Sequence, residues 1–314
     1  MSNFWDKLSK PFFVMAPMAN VTDVAFRAMF ARYGKPDVTW TEFVSADGLV
    51  SPGREVLLRD LEFSKAEKPI VAQLFTGHPE KMLEAARLVK KLGFDGLDIN
   101  MGCPDRSVEK QGGGAAMIKD QESALAVIEA AREGSGLPVS IKTRIGYNKN
   151  EIKEWIGFLL KQSLPALTVH LRTRKEMSDV PAHWEFMPEI VAIRNELSPK
   201  TLIIGNGDVA SIAEARMKIK ETGCDGVMIG RGIFGNPWLF SGKTATSTEK
   251  LKALVEHTKL FEKKLGDVKN FAVMKKHFKA YVSGWEGAKE LRVKLMETGN
   301  GREVDKVVKE YLKK

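Results

Sequence analysis

Short apolar runs alternate along the chain with longer segments in which apolar residues recur three and four positions apart. Eight of the runs read as strands: Phe12–Ala16, Val38–Phe43, Ile70–Phe75, Gly96–Ile99, Val139–Thr143, Ala166–His170, Thr201–Gly205 and Gly226–Gly230. They are near-continuous rather than alternating, as expected of parallel strands covered by helices. The spacing predicts helices over Asp23–Tyr33 (with Thr22 as N-cap), Pro79–Leu92, Gln121–Glu133, Asn150–Gln162 and Ser211–Thr222. No helix is predicted between the sixth and seventh strands. Eight strands with their helices in about 240 residues predict an α/β chain built as a (β/α)8 TIM barrel.

After Phe240 the pattern changes. Ser241–Thr248 is small and polar, a candidate linker. Beyond it only helical patterns remain, over Glu249–Leu265, Asn270–Ser283, Gly287–Glu297 and Arg302–Lys313. The predicted organisation is a barrel over 1–240, a linker over 241–248 and a C-terminal all-helical domain over 249–314.

In such a barrel the C-terminal strand ends and the loops after them make the site. The sequence puts Ala16-Pro17-Met18, Glu42, Gln73, Asn100, Cys103, Lys142, Arg144, His170, Asn206-Gly207-Asp208 and Gly230-Arg231-Gly232 there. The last two groups follow strands seven and eight, where glycine amides and one Arg suit a terminal phosphate. Two glycine turns and a surface Arg would read the same way. Lys142, Gln73 and His170 lie on the route from that anion site to the thiol. A flavin ring needs hydrogen-bond partners at its pyrimidine edge and positive charge near the reduced ring, which Gln73 and Lys142 suit. His170 read alone is equally a satisfied buried histidine. Cys103 stands at a strand end turned by Gly102, ahead of Gln111-Gly112-Gly113-Gly114-Ala115-Ala116. A single thiol there is either a reactive group on a loop or a small packed hydrophobe.

Composition narrows the classes. The 314 residues are 43% hydrophobic and 28% charged, a globular soluble composition. Two cysteines in no Cys-x-x-Cys spacing give no support to a disulfide scaffold or a structural zinc site, so no metal is expected, and they fit a reducing cytoplasm. Cys224 reads as structural. No apolar run approaches the roughly 20 residues that span a bilayer, so no membrane association is expected. The net charge of +9 is uneven, because Lys243–Lys314 holds 18 Lys/Arg against 10 Asp/Glu. That asymmetry reads either as a polyanion site or as a solvated, lysine-rich helical surface.

With these residues in view, the chain resembles the tRNA-dihydrouridine synthases. The resemblance runs nearly end to end. It rests on Met15-Ala16-Pro17-Met18, Gln73-Leu74-Phe75, Asp98-Ile99-Asn100-Met101-Gly102-Cys103-Pro104, Lys142-Thr143-Arg144, Val169-His170, Gly205-Asn206-Gly207-Asp208-Val209 and Gly230-Arg231-Gly232. In the tail it rests on Met274-Lys275-Lys276-His277 and Ala288-Lys289-Glu290-Leu291-Arg292. It implies FMN contacts from Ala16, Pro17, Met18, Gln73, Lys142, His170, Asn206, Gly207, Asp208, Gly230 and Arg231. It implies Cys103 as the proton donor to the reduced base. Asn100, Arg144, Lys275, Lys276 and Arg292 would bind the RNA. NADPH would be the reductant, tRNA the partner, and the enzyme a cytoplasmic monomer. The chain departs from the family pattern at Leu171, at Gly112–Gly114 and over Glu176–Trp184. The glycine run is expected to keep the thiol loop open until RNA binds. A flavin barrel acting on a small molecule is the alternative, but it leaves the basic tail without a role. An RNA-binding barrel without a cofactor leaves Lys142, Cys103 and the anion site without one.

Overall fold

A computed structural model of the chain describes residues 3–313. Met1, Ser2 and Lys314, which belong to the predicted end regions, lie outside the described residues. All eight predicted strands form: β1 (Phe12–Met15), β2 (Thr39–Ser45), β3 (Ile70–Phe75), β4 (Gly96–Met101), β5 (Val139–Arg144), β6 (Ala166–His170), β7 (Leu202–Asn206) and β8 (Gly226–Ile229). Every pairing is parallel, in the order β1-β8-β7-β6-β5-β4-β3-β2. One parallel bridge, Val14 to Val38, brings β1 back against the start of β2, so the sheet curls into a TIM-barrel-like form.

The strands are less uniform than their apolar runs suggest. Alternate residues face inward, and the inward set changes character along the axis. At the N-terminal end Trp5, Phe12, Val14, Trp40, Val71, Leu202, Ile204 and Met228 pack together as an apolar plug. One or two steps further along the same strands the inward positions are Gln73, Asp98, Asn100, Ser140, Lys142, Thr168, His170 and Asn206. A polar floor therefore sits on an apolar base. The other parity packs outward under the helices, in the large core containing Phe26, Leu74, Ile99, Ile141, Trp155 and Ile203.

Several helix boundaries differ from the sequence reading for identifiable reasons. The first helix spans Val24–Tyr33, and its N-cap is Asp23, which accepts from the Phe26 N–H at 2.9 Å. The Thr22 hydroxyl instead accepts from the Met18 N–H at 3.0 Å and closes the turn after β1. The segment expected as one helix over Asn150–Gln162 is a π turn, Ile152–Ile156, running into Gly157–Leu160. There Trp155 donates to the Thr143 hydroxyl at 2.8 Å and anchors the turn to β5. A helix, Met187–Leu197, lies between β6 and β7 where none was predicted. The first tail helix begins at Ser247 because Thr246 and Glu249 form a reciprocal capping box. The second tail helix is shorter than expected, a 3-10 turn Phe271–Met274 followed by Lys275–Tyr281. Ala288–Met296 and Gly301–Leu312 complete the tail.

The tail helices do not stand apart from the barrel. Leu251, Leu254, Phe261, Phe278 and Leu295 share one core with Val24, Ala25 and Met29 of the first helix. Ion pairs pin the turn between the first two tail helices to the barrel. Lys269 Nζ lies 2.9 Å from Glu42 and 2.7 Å from Asp60, and Arg59 lies 3.2 Å from Asp267. Lys276 donates to the Asn20 carbonyl. In the seam, His257 and His277 are fully buried with ring centroids 4.9 Å apart, against Phe26. Their ring nitrogens have no partner among the described residues, and burial pushes His257 down to about 3 and His277 well below the usual histidine range.

Both histidines are therefore neutral when folded and take up protons when unfolded. Stability should be fully present above about pH 6.5 and fall by as much as about 2.7 kcal/mol per pH unit below it. Urea unfolding between neutral and mildly acid pH checks this, and a His257→Leu/His277→Leu double variant should flatten the dependence.

Candidate active site

The polar floor opens into a cavity of about 610 Å³ at the C-terminal strand ends. Ala16, Pro17 and Met18 form one wall; Lys142, His170, Asn206, Gly207, Asp208, Gly230 and Arg231 line the rest. Ten of the eleven residues expected to meet a cofactor thus come together. Gln73 does not line the cavity. It is fully buried one layer down, where its amide donates to Asp98 at 2.6 Å and accepts from Asn100 at 3.2 Å.

That lower layer is a continuous hydrogen-bonded ladder. Ser140 donates to Asp98 Oδ1 at 2.5 Å and Gln73 to Oδ2. Burial pushes the Asp98 carboxyl up to about 6, against the opposing pull of those two donors. Lys142 lies above, with no protein acceptor on its Nζ among the described residues. Burial, then the neighbouring Arg144, push its ammonium down to about 8, while Asp98 pulls it back. It is still charged at neutral pH, and it titrates just above.

The thiol loop hangs from the top of this ladder. Asn100 Oδ1 accepts from the backbone N–H groups of Gly102 at 3.1 Å and Cys103 at 2.9 Å. Arg144, expected to bind substrate, is buried and donates to the carbonyls of Gly102, Thr173 and Met177 at 2.8, 2.9 and 3.0 Å. It braces the loop from below. Cys103 itself is half-buried, and burial pushes its thiol up from the ordinary value despite nearby Lys142 and Arg144.

The glycine run does not leave the loop open. Gly112 and Gly114 have φ of +71° and +60°, which favour glycine. A Cβ on Gly113 would sit 3.1 Å from the Thr76 nitrogen, and one on Gly114 would sit 2.6 Å from the Cys103 carbonyl oxygen. The Ala115 N–H bonds that same carbonyl at 2.9 Å. The three glycines permit close packing under the thiol, with the loop hydrogen-bonded and packed against β3 and its following turn. Arg174 and Glu109, paired at 2.5 Å, tie it to the loop after β6.

The sequence reading missed Arg172 and Ser178 on the cavity wall. Ser178 carried no signal. Arg172 was visible as a charged residue two positions past a strand-end histidine. The stretch that departs from the family pattern, Glu176–Trp184, builds this wall. Val180 accepts from Arg172 Nε at 2.7 Å, and the Ala182 N–H donates to Asp208 at 2.8 Å. Asp208 also pairs with Arg172 and with the mostly exposed Arg231. Burial would raise its carboxyl, but the Arg172 hydrogen bond, Ala182 and Arg231 together hold it below the usual range. Leu171, the other departure, is fully buried.

Lys275, Lys276 and Arg292 gather elsewhere, in a shallow groove of about 600 Å³ with Lys279 and Lys289, floored by Val293 and Met296. Through Lys276 and Asn20 this groove borders the turn that carries Met18 into the cavity wall.

Asn100→Ala should release two loop amides and loosen the thiol loop by about 1–3 kcal/mol. Cys103 should then react with a disulfide reagent at least about tenfold faster, with Cys224, which is buried, as the slow internal reference.

The family model described as dihydrouridine synthase matches residues 14–314. A protein of Staphylococcus aureus (strain COL) named probable tRNA-dihydrouridine synthase is 41% identical over 314 residues, covering 98% of this chain and 95% of its own. One of Bacillus subtilis (strain 168), named probable tRNA-dihydrouridine synthase 2, is 41% identical over 317 residues, covering 99% and 97%. Among solved structures, a morphinone reductase mutant in complex with tetrahydroNAD has a TM-score of 0.52 at 16% identity, covering 74% of this chain and 86% of that one. A histamine dehydrogenase from Rhizobium has a TM-score of 0.53 at 15% identity, covering 79% and 48%.

Proposed function

The chain belongs to the dihydrouridine synthase family and is an oxidoreductase that converts uridine in tRNA to dihydrouridine; we propose that it does so with FMN held in the cavity, NADPH as the electron source and Cys103 as the proton donor. The observation that carries this reading is the cavity floor. An unpartnered Lys142 ammonium and His170 face a space between two glycine-rich strand ends and Arg231. That donor set fits a flat, acceptor-rich ring with a phosphate at one end. Gly207, Gly230 and Arg231 would hold the phosphate, and Lys142 and His170 the ring. Ala16, Pro17 and Met18 would form the wall beside it, and Asn206 would contribute from β7. Gln73 acts from the layer below, by orienting Asn100.

When bound and reduced, the flavin would supply the hydride for C6 of the base. Cys103 then gives its proton to C5. An acid must hold its proton at working pH, and burial keeps this thiol protonated well past neutrality. The charges of Lys142 and Arg144 that oppose that shift stabilise the thiolate left after transfer. Proton delivery therefore needs no activating histidine.

The target uridine is stacked in folded tRNA and must be turned out to reach this floor. In our reading, residues 249–314 act as a helical RNA-holding domain. Lys275, Lys279, Lys289 and Arg292 meet phosphates in the groove beside the cavity mouth. The enzyme would work as a cytoplasmic monomer.

Cys103→Ala should lower single-turnover uridine reduction by about 10²–10⁴-fold while flavin reduction by NADPH proceeds at the normal rate. In the unaltered enzyme that single-turnover rate should be flat through neutral pH and decline only on the alkaline side. Equal rates in the variant would remove Cys103 from the acid role.

A Lys275→Ala/Lys279→Ala/Arg292→Ala variant should weaken tRNA binding and reduce the slope of log K against log salt by about one for each phosphate no longer neutralised. An unchanged slope would place the RNA elsewhere. Mapping dihydrouridine in tRNA from cells with and without the gene tests the function as a whole.

A further inference from the structure

Arg172 is buried, at 2% exposure, and each of its three guanidinium nitrogens has a partner. Nε donates to the Val180 carbonyl at 2.7 Å, Nη2 pairs with Asp208, and Nη1 lies 3.1 Å from His170 Nε2. The chemistry of that third interaction leaves one solution. A guanidinium only donates and stays charged, so His170 Nε2 must carry the lone pair. The imidazole proton then sits on Nδ1, which has no partner among the described residues on a side chain that lines the cavity.

We propose that Arg172 is a positioning residue that locks His170 as the neutral Nδ1–H tautomer, so that the cavity offers a fixed donor to an acceptor atom of the bound flavin. The lock has two parts. The first is the hydrogen bond itself, since a proton on Nε2 would point at the guanidinium. The second is the surroundings: burial first, then the charges of Arg144, Lys142, Arg172 and Arg231, oppose an imidazolium here. Asp208, the acidic residue that lines the cavity, gives no relief. Its oxygens are already engaged by Arg172, Arg231 and the Ala182 N–H. Asp208 and Val180 instead hold Arg172 from behind, as a second partner holds a ligand's orientation. The divergent stretch Glu176–Trp184 thereby reaches the cofactor pocket through Arg172.

The tautomer does not depend on any bound group, whereas its role rests on the reading that the cavity holds a flavin. The chain has five histidines, so ring-nitrogen NMR on the ¹⁵N-labelled protein is tractable, with His170→Asn supplying the assignment. In the unaltered protein the His170 Nε2 should read as unprotonated and Nδ1 as protonated, with no titration from roughly pH 5 to 8. In Arg172→Met the two tautomers should mix and FMN should bind about tenfold more weakly by flavin fluorescence, while burial, Arg144 and Lys142 still keep the ring neutral. Arg172→Lys should likewise lose the single tautomer, because an ammonium lacks the planar fork. An Nε2–H tautomer in the unaltered protein overturns the proposal whether or not any variant folds. So does a folded Arg172→Met in which tautomer and FMN affinity are both unchanged. Both readouts are made without RNA, so a failure of uridine reduction leaves them intact. A correct tautomer in a protein that takes up no FMN would overturn the flavin role alone.

Discussion

A carboxylate sealed inside the sheet sets the position of everything above it. Asp98 has no access to solvent, so both its oxygens must be satisfied by protein donors. Ser140 takes one oxygen and Gln73 the other, which fixes the Gln73 amide in a single orientation. The remaining Gln73 oxygen then accepts from Asn100, and this turns the Asn100 oxygen toward the amides of Gly102 and Cys103. A chain of four side chains thus transmits the geometry of the barrel interior to the thiol. The same carboxylate keeps the Lys142 ammonium charged against the cost of its burial. The thiol and the cavity cation are therefore referenced to one buried anion.

Charge around the cavity is arranged on the same principle. Lys142, Arg144, Arg172 and Arg231 converge where glycine backbone replaces side-chain bulk. Such a cluster repels itself unless part of it is neutralised. Arg144 is committed to three backbone carbonyls, and Arg172 and Arg231 share Asp208. Lys142, which has no protein acceptor among the described residues, is left to meet a ligand's charge at the floor, and the exposed Arg231 faces the rim. His170 stays neutral among these cations, and its hydrogen-bond direction rather than its charge is what it contributes.

The helical tail is joined to the barrel by two unlike interactions. Its apolar faces share a core with the first helix, which lies just after the turn that carries Met18. Its connecting turn is held by Lys269 between Glu42 and Asp60, at the mouth end of β2. The apolar packing holds the tail on the barrel, and the ion pairs fix its rotation. Together they put the basic groove beside the cavity mouth, so RNA held by the tail would present its base to the floor that carries Lys142.

The sequence by itself determined the alternation of strand and helix, because burying apolar runs on both faces of a parallel sheet leaves little freedom. It also marked the strand-end groups, since Lys142, His170 and the Asn206 and Gly230 turns interrupt runs that a core would keep apolar. It misplaced helix ends where one hydrogen bond decides. Asp23 rather than Thr22 caps the first helix, and the Thr246–Glu249 pair starts the tail earlier than hydrophobic spacing indicates. Only the tertiary structure could decide which partner each strand-end group bonds. Gln73 faces Asp98 rather than the cavity, and Arg144 braces a loop. These outcomes depend on partners that lie 25 to 42 residues away along the chain. A pattern of residue types states which groups can donate and accept, but the closure of the sheet chooses the partners.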